Sequence, residues 1–307
     1  MNTTPNFDQI SHFTEPEARE LLEAIRWPDG PICPHCGANG AYKLTPKAGS
    51  KSPVRGGVYS CKACREQFTV TVGTIFEDSH IKLNKWLMAI YLMCASKKGI
   101  SAHQLHRMIG VTYKSAWFMC HRIRYAMTQP ALASLLSGTV EVDETYVGGK
   151  EHNKHASKRQ SGTRGRSTRT KTPVVALVER GGQLRASTSP DVSGKNLKQA
   201  IRENVDRKAR IITDEWPGYY GLEAEFASHE TVSHGMGEYA RGDIYTSTAE
   251  GWFALLKRGI MGAFHHVSPA HLDRYVDEFE FRYNARKVDD ATRTALALKG
   301  VSGKRLT

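Results

Sequence analysis

Three carboxylates lie along the second half of this 307-residue chain where metal-assisted chemistry on a phosphodiester would need them. Asp143 sits in TVEVDETYVGG (139–149), where Val140 and Val142 face one side and Glu141 and Asp143 the other. This alternation predicts a half-buried strand with its carboxylates on the open face. Asp214 closes the apolar run ARIITD, a strand end from which ligand-binding side chains project in α/β sheets. Glu250 follows after 35 intervening residues, on a helix predicted from Thr248 to about Arg258. Lys257 comes seven positions later, which on a helix returns it to within about 20° of the same direction. Ser247 and Ala254 share that stripe, while Trp252, Leu255 and Leu256 occupy the opposite side. Hard Mg²⁺ prefers clustered anionic oxygens. Two such ions, about 3.5–4 Å apart, stabilise both the attacking and the leaving oxygen of an in-line displacement. From spacing alone other roles fit too: a solvated helix face for Glu250 and Lys257, and a cap near Pro217 for Asp214.

A second constellation is made of sulfur. Cys33-Pro-His-Cys36 and Cys61-Lys-Ala-Cys64 are two knuckles separated by 24 residues. A two-residue gap lets both thiolates of a knuckle address one ion, and two knuckles complete the tetrahedral set that structural Zn²⁺ prefers. One structural zinc is expected, with Tyr59 and Phe68 as its apolar backing; two disulfides or four buried thiols are the alternatives. Cys94 and Cys120 fall in apolar helical patterns and read as core.

The elements that must position these groups change in character along the chain. A short helix (Glu15 to Ile25) leads into a ribbon at about 31–76. Apolar positions recur helically from Lys82 to Ser96. A second helix follows with Ser101 as its N-cap, ending at Gly110, and a third runs from Thr112 to about Met127. A short helix, a Gly-containing turn and a longer basic helix form the pattern of a helix-turn-helix, with Lys114, Arg122 and Arg124 on or beside the recognition helix. Helical hairpins with no DNA role share this pattern. Residues 150–171 hold eight Lys or Arg and one Glu, a net +7 within a total of +12. Lys158, Arg159, Arg164 and Arg166 lie in this loop, which either tracks a phosphate backbone or is a solubilising insertion. A hairpin around Gly181-Gly182, a helix near 195–205, a strand near 227–234 and a last helix from Ser268 to about Arg286 complete a mixed α/β pattern. His234 and the His265-His266 pair fall near these elements, and each reads first as hydrogen-bonded structure. The expected division is 1–76, 77–130 and 131–307.

Apolar residues make up 40% and charged residues 24%, which suits a folded domain and excludes general disorder. The longest nearly apolar run, Trp86 to Ala95, is too short for a membrane span, and the N-terminus shows no secretory signal. A cytoplasmic protein with a polyanion partner is expected.

The longer motifs carry a resemblance. VEVDETYVGG, ITDEWPGY, STAEGWFALLKRGI and HHVSPAHLDRYVDEFEFRYNAR, with CPHCG, YSCKACREQFTVTVGTIFE and the terminal GKRL, closely resemble insertion-sequence transposases of the DDE type that carry an N-terminal zinc ribbon. The resemblance runs in order from about residue 20 to the C-terminus. It implies an RNase H-like catalytic domain that cuts transposon ends and joins them to target DNA, acting as a bacterial homo-oligomer on double-stranded DNA. It also implies Asp143, Asp214 and Glu250 as ligands of catalytic Mg²⁺ or Mn²⁺, with Lys257 as a helper. Many relatives carry Asn where this chain has Ser247, and some use that Asn as the third ligand. Ser247 is a poorer ligand, so the load is expected to rest on Glu250, one turn on. A non-catalytic repressor descended from a transposase and an RNase H-like structure-specific nuclease are the competing functions.

Overall fold

The computed structural model describes residues 5–45, 55–128, 134–160 and 167–305. The chain forms two compact units, Met1–Thr128 with Lys287–Thr307, and Gln129–Arg286.

The first unit begins with α1 (Phe7–Ser11) and α2 (Glu15–Arg26). Glu17 reaches back to accept from the Thr14 backbone N–H, closing the start of α2. Three two-residue strands, β1 (Tyr42–Lys43), β2 (Tyr59–Ser60) and β3 (Gln67–Phe68), pair antiparallel in that order. Such short strands cannot hold themselves together, and an aromatic cluster backs them. Trp27 meets Tyr59 and Phe68 edge-on at 5.3 and 5.8 Å. Then come α3 (Leu83–Ala95), α4 (Ala102–Ile109) and α5 (Tyr113–Met127). The side chains of Ser101 and Thr112 accept from the Gln104 and Ser115 N–H groups, capping α4 and α5 as expected. Gly110 ends α4 at φ 62°, a left-handed conformation that any other residue would adopt only under strain.

The C-terminus departs from the expected boundary at 131–307. Residues 287–307 fold with the first unit through α9 (Asp290–Lys299), a helix absent from the sequence reading. Asp289 caps α9 by accepting from Thr292 N–H at 2.7 Å, and Thr294, Ala297, Leu298 and Val301 are buried. Arg293 ties α9 to α3 by donating to the carbonyl of Cys94. Alternation of small and polar residues in DATRTALALK left too weak an apolar stripe to read as a core helix.

The second unit is a five-stranded mixed sheet in the order β6-β5-β4-β7-β8. The strands are β4 (Thr139–Val147), β5 (Thr172–Glu179), β6 (Leu184–Thr188), β7 (Arg210–Asp214) and β8 (Ser228–Val232). β4, β5 and β6 form an antiparallel meander, and β7 and β8 run parallel to β4. This is the RNase H-like arrangement that the resemblance implied. One sheet face packs on α6 (Gly194–Asn204) through Val140, Val142, Leu197, Ile201 and Tyr219. The other packs on α7 (Ser247–Gly259) and α8 (Leu272–Asn284) through Val174, Ala176, Trp252, Val276 and Phe279. The face of β4 expected to be open is therefore covered, and Glu141 is fully buried. Along the β6 edge, Asn284, Glu280 and Asp273 of α8 accept from the N–H groups of Leu184, Ala186 and Thr188. That edge cannot recruit another strand. Among the described residues, no helix is long and apolar enough to cross a membrane.

Candidate active site

Sheet register brings the first two acids together. The parallel pairing of β4 with β7 ends with Glu141 opposite Ile212, and Asp143 and Asp214 each follow two residues further along their strands. The Asp143 carboxylate accepts from the Glu144 N–H at 2.8 Å, and that of Asp214 from the Trp216 N–H at 3.0 Å. α7 supplies the other two groups. Trp252, Phe253 and Leu256 are buried, which turns Glu250 and Lys257 to the exposed side, as the helical spacing required.

Asp143, Asp214, Glu250 and Lys257 all line one cavity of about 630 Å³. Ser247 is exposed at the start of α7 and does not line it. Burial above all, then the negative charges of Glu144, Asp214 and Glu250, pushes the Asp143 carboxyl up to about 8. Carboxylate oxygens with a cation beside them are the donor types that Mg²⁺ or Mn²⁺ takes, and these four residues are of those types.

Beyond the expected catalytic set, Glu144, Lys171, His234 and Tyr239 are among the residues that line the cavity. Glu144 is engaged by the buried Tyr219, whose hydroxyl donates to it at 2.8 Å. Lys171 closes the basic loop, and its place beside the acids was implicit in that loop's charge. His234 Nε2 lies 3.7 Å from Glu250 Oε1, and the Glu215 carboxylate accepts from the N–H groups of His234 and Gly235. His265 and His266 do not line the cavity.

The expected DNA contacts divide. Lys114 is exposed at the start of α5, and Lys158 is exposed in the basic loop. Arg124 is corrected: it is 2% exposed, on the same helix stripe as Ala116, Cys120 and Ile123, and cannot reach a phosphate. Arg122 is half-buried and donates to the carbonyls of Ile75 and Glu77 at 2.9 and 3.0 Å, so its charge serves the fold. Arg159 donates to the carbonyls of Lys154 and His152, while Glu151 accepts from Lys154 Nζ and Gln160 N–H. Residues 151–158 thus form two short 3₁₀ turns held by local bonds. Arg164 and Arg166 lie outside the described residues.

In the first unit, Cys33, Cys36, Cys61 and Cys64 place their sulfurs within 4.8 Å of one another. They are the one such group of possible ligands among the described residues. Cys33 Sγ lies 3.7 Å from Cys64 Sγ, and Cys36 Sγ 3.6 Å from Cys61 Sγ. A tetrahedron with zinc–sulfur bonds of about 2.3 Å has edges of roughly 3.8 Å, so the set fits Zn²⁺. Both contacts cross between knuckles, and all four cysteines are free, so the disulfide alternative fails.

An RNase H-like sheet with an acidic cavity, on a chain that also carries a four-cysteine ribbon, defines a class of DNA-processing proteins. The chain belongs to the ISXO2-like transposase family: residues 135–284 match the ISXO2-like transposase domain, and residues 13–67 the transposase zinc-ribbon domain. A Halobacterium salinarum protein, described as an uncharacterized protein in transposable element ISH50, is 30% identical over 282 residues. The match covers 88% of this chain and 90% of that protein. A solved Mos1 transposase paired-end complex with left transposon end is 13% identical, covering 66% of this chain and 70% of that one at a TM-score of 0.27.

Proposed function

We propose that this chain is a metal-dependent DNA transposase that binds the ends of an insertion sequence, cuts them and joins them to target DNA. The convergence of Asp143, Asp214, Glu250 and Lys257 on one cavity carries this reading. The three carboxylates would hold one or two Mg²⁺ or Mn²⁺ ions. Bound there, such ions supply Lewis acidity and an activated nucleophile at neutral pH. Lys257 and Lys171 contribute positive charge at the same cavity, suited to orienting a phosphate group against the carboxylates. The first attack, by water, breaks a phosphodiester bond and frees a 3′ hydroxyl. The second, by that hydroxyl on a target phosphodiester, joins the end to target DNA and releases the target strand's own 3′ hydroxyl.

The cysteine ribbon, holding one structural Zn²⁺, and the α4–α5 helix-turn-helix would recognise the element ends. Lys114 and Lys158 are the expected phosphate contacts among the described residues. Two ends must meet one target, so the working form is a homo-oligomer on DNA in the bacterial cytoplasm. The test is incubation with a labelled end duplex in Mg²⁺ or Mn²⁺, alongside a binding measurement. Cleavage at the end, leaving a 3′ hydroxyl, is the expected result. Binding without cleavage under either metal would instead identify a repressor.

A further inference from the structure

We propose that Glu141 is the positioning residue of the acidic cavity: from β4 it caps the N-terminus of α7 and so sets Glu250 against Asp143. The proposal rests on the reading of Asp143, Asp214 and Glu250 as metal ligands. Glu141 is 0% exposed, and its carboxylate is saturated with donors. Oε2 accepts from the N–H groups of Thr248 and Ala249 at 2.8 and 3.2 Å. Oε1 accepts from Thr248 Oγ1 at 2.8 Å and from Arg180 Nε at 2.7 Å.

The helix needs this partner. Thr246, the N-cap of α7, makes no side-chain cap bond, so the first-turn N–H groups look to another element for an acceptor. An anionic oxygen is also favoured by the positive end of the helix dipole. Arg180, just past the end of β5, extends the clamp upstream. It donates to the carbonyls of Asp243 and Tyr245 at 2.6 and 2.8 Å and lies 3.7 Å above the Tyr245 ring. One carboxylate–guanidinium pair therefore joins β4, the end of β5, the segment entering α7 and the first turn of α7.

The consequence for the cavity follows from sequence adjacency. Asp143 lies two residues beyond Glu141 on the same strand face, and Glu250 directly follows Thr248 and Ala249. Without the cap, the first turn of α7 loses its tie to β4, and Glu250 on that turn shifts with it. Misplacement of a reacting group by about 1 Å costs on the order of 100-fold in rate.

The test is Glu141→Gln, which keeps the size but turns an amide N–H₂ toward donors. Three quantities are measured at a temperature where circular dichroism shows the variant folded. They are Mn²⁺ binding to the DNA-free protein by electron paramagnetic resonance, end-duplex affinity, and cleavage rate at saturating Mn²⁺. We expect Mn²⁺ affinity to fall at least about 10-fold and the rate about 100-fold, with duplex affinity within about twofold of wild type. Arg180→Lys, which keeps the charge but loses the fork to Asp243 and Tyr245, should likewise lower Mn²⁺ affinity and cleavage rate while sparing duplex affinity. It also decides the matter if Glu141→Gln does not fold. A lowered melting temperature with wild-type Mn²⁺ affinity and rate in the folded variant would overturn the positioning role alone. A wild-type protein that neither binds Mn²⁺ nor cuts would overturn the metal-ligand reading beneath it.

Discussion

Asp143, midway along β4, and Asp214, at the C-terminal end of β7, each lie two residues past the Glu141–Ile212 pair that ends the parallel ladder between the two strands. Burial and the neighbouring negative charges disfavour the ionised form of Asp143 until a cation arrives, so a divalent ion bound there should stabilise the fold. At 100 times its dissociation constant, a ligand bound to the native state alone adds about 2.7 kcal/mol. The melting temperature of wild type should therefore rise with Mn²⁺, and that of Asp143→Asn should not. Equal rises in both would remove Asp143 from the ligand set.

Tyr219 donates its hydroxyl to Glu144 from a fully buried position. Burial, followed by the charge of Glu144, raises the phenol well above its ordinary value, so it stays a donor. Tyr219→Phe leaves Glu144 without that bond and should cost about 1.5–3 kcal/mol, as for a hydrogen bond to a charged group. Urea unfolding reads this directly, and a loss below about 0.5 kcal/mol would contradict it.

Arg185 and Glu280 form a nearly buried pair at 2.7 Å between β6 and α8. Burial raises the Glu280 carboxyl, while the Ala186 N–H and Arg185 oppose the rise. A folded value above the unfolded one means that the native state holds the proton more tightly. This side chain thus contributes most below the ordinary carboxylate range, and the contribution is lost as pH rises through the raised value. Arg185→Met strands the carboxylate and should cost about 3–5 kcal/mol near pH 8. The deficit should shrink at pH 5, and Arg185→Met/Glu280→Gln should be milder than Arg185→Met alone. Denaturation curves at the two pH values test this, and a pH-independent deficit would refute it.

One Zn²⁺ per chain is expected in protein purified without chelator, by elemental analysis. Cys36→Ser should lose the metal and the ribbon, while the five-stranded sheet of the other unit persists by circular dichroism. Less than half an equivalent of zinc in wild type would contradict the assignment.

Local signals in the sequence carried much of this fold. Ser101, Gly110 and Thr112 mark helix ends through their own backbone geometry, and the α7 stripe follows from its apolar positions alone. What escaped depends on tertiary neighbours. Alternation on β4 put Glu141 beside Asp143 but could not reveal that α7 covers that face. Arg124 and Arg122 read as free cations, because charge in a helix pattern does not show which stripe faces the core. Tyr219 meets Glu144 only because the sheet and the turn after β7 are folded together. α9 escaped because its stability comes from packing on α3 rather than from its own apolar stripe.

Cleavage of a labelled end duplex by Glu250→Gln, with binding measured on the same preparation, tests the central claim most directly. Glu250 is half-exposed on α7, so its amide should leave the fold and end binding intact while cleavage in Mg²⁺ or Mn²⁺ falls to background. Asp143→Asn and Asp214→Asn should match it, and double variants should be no worse than singles, because the three carboxylates act as one unit. Normal cleavage by Glu250→Gln would show that this carboxylate is not a ligand and that the acidic cavity does not work as described.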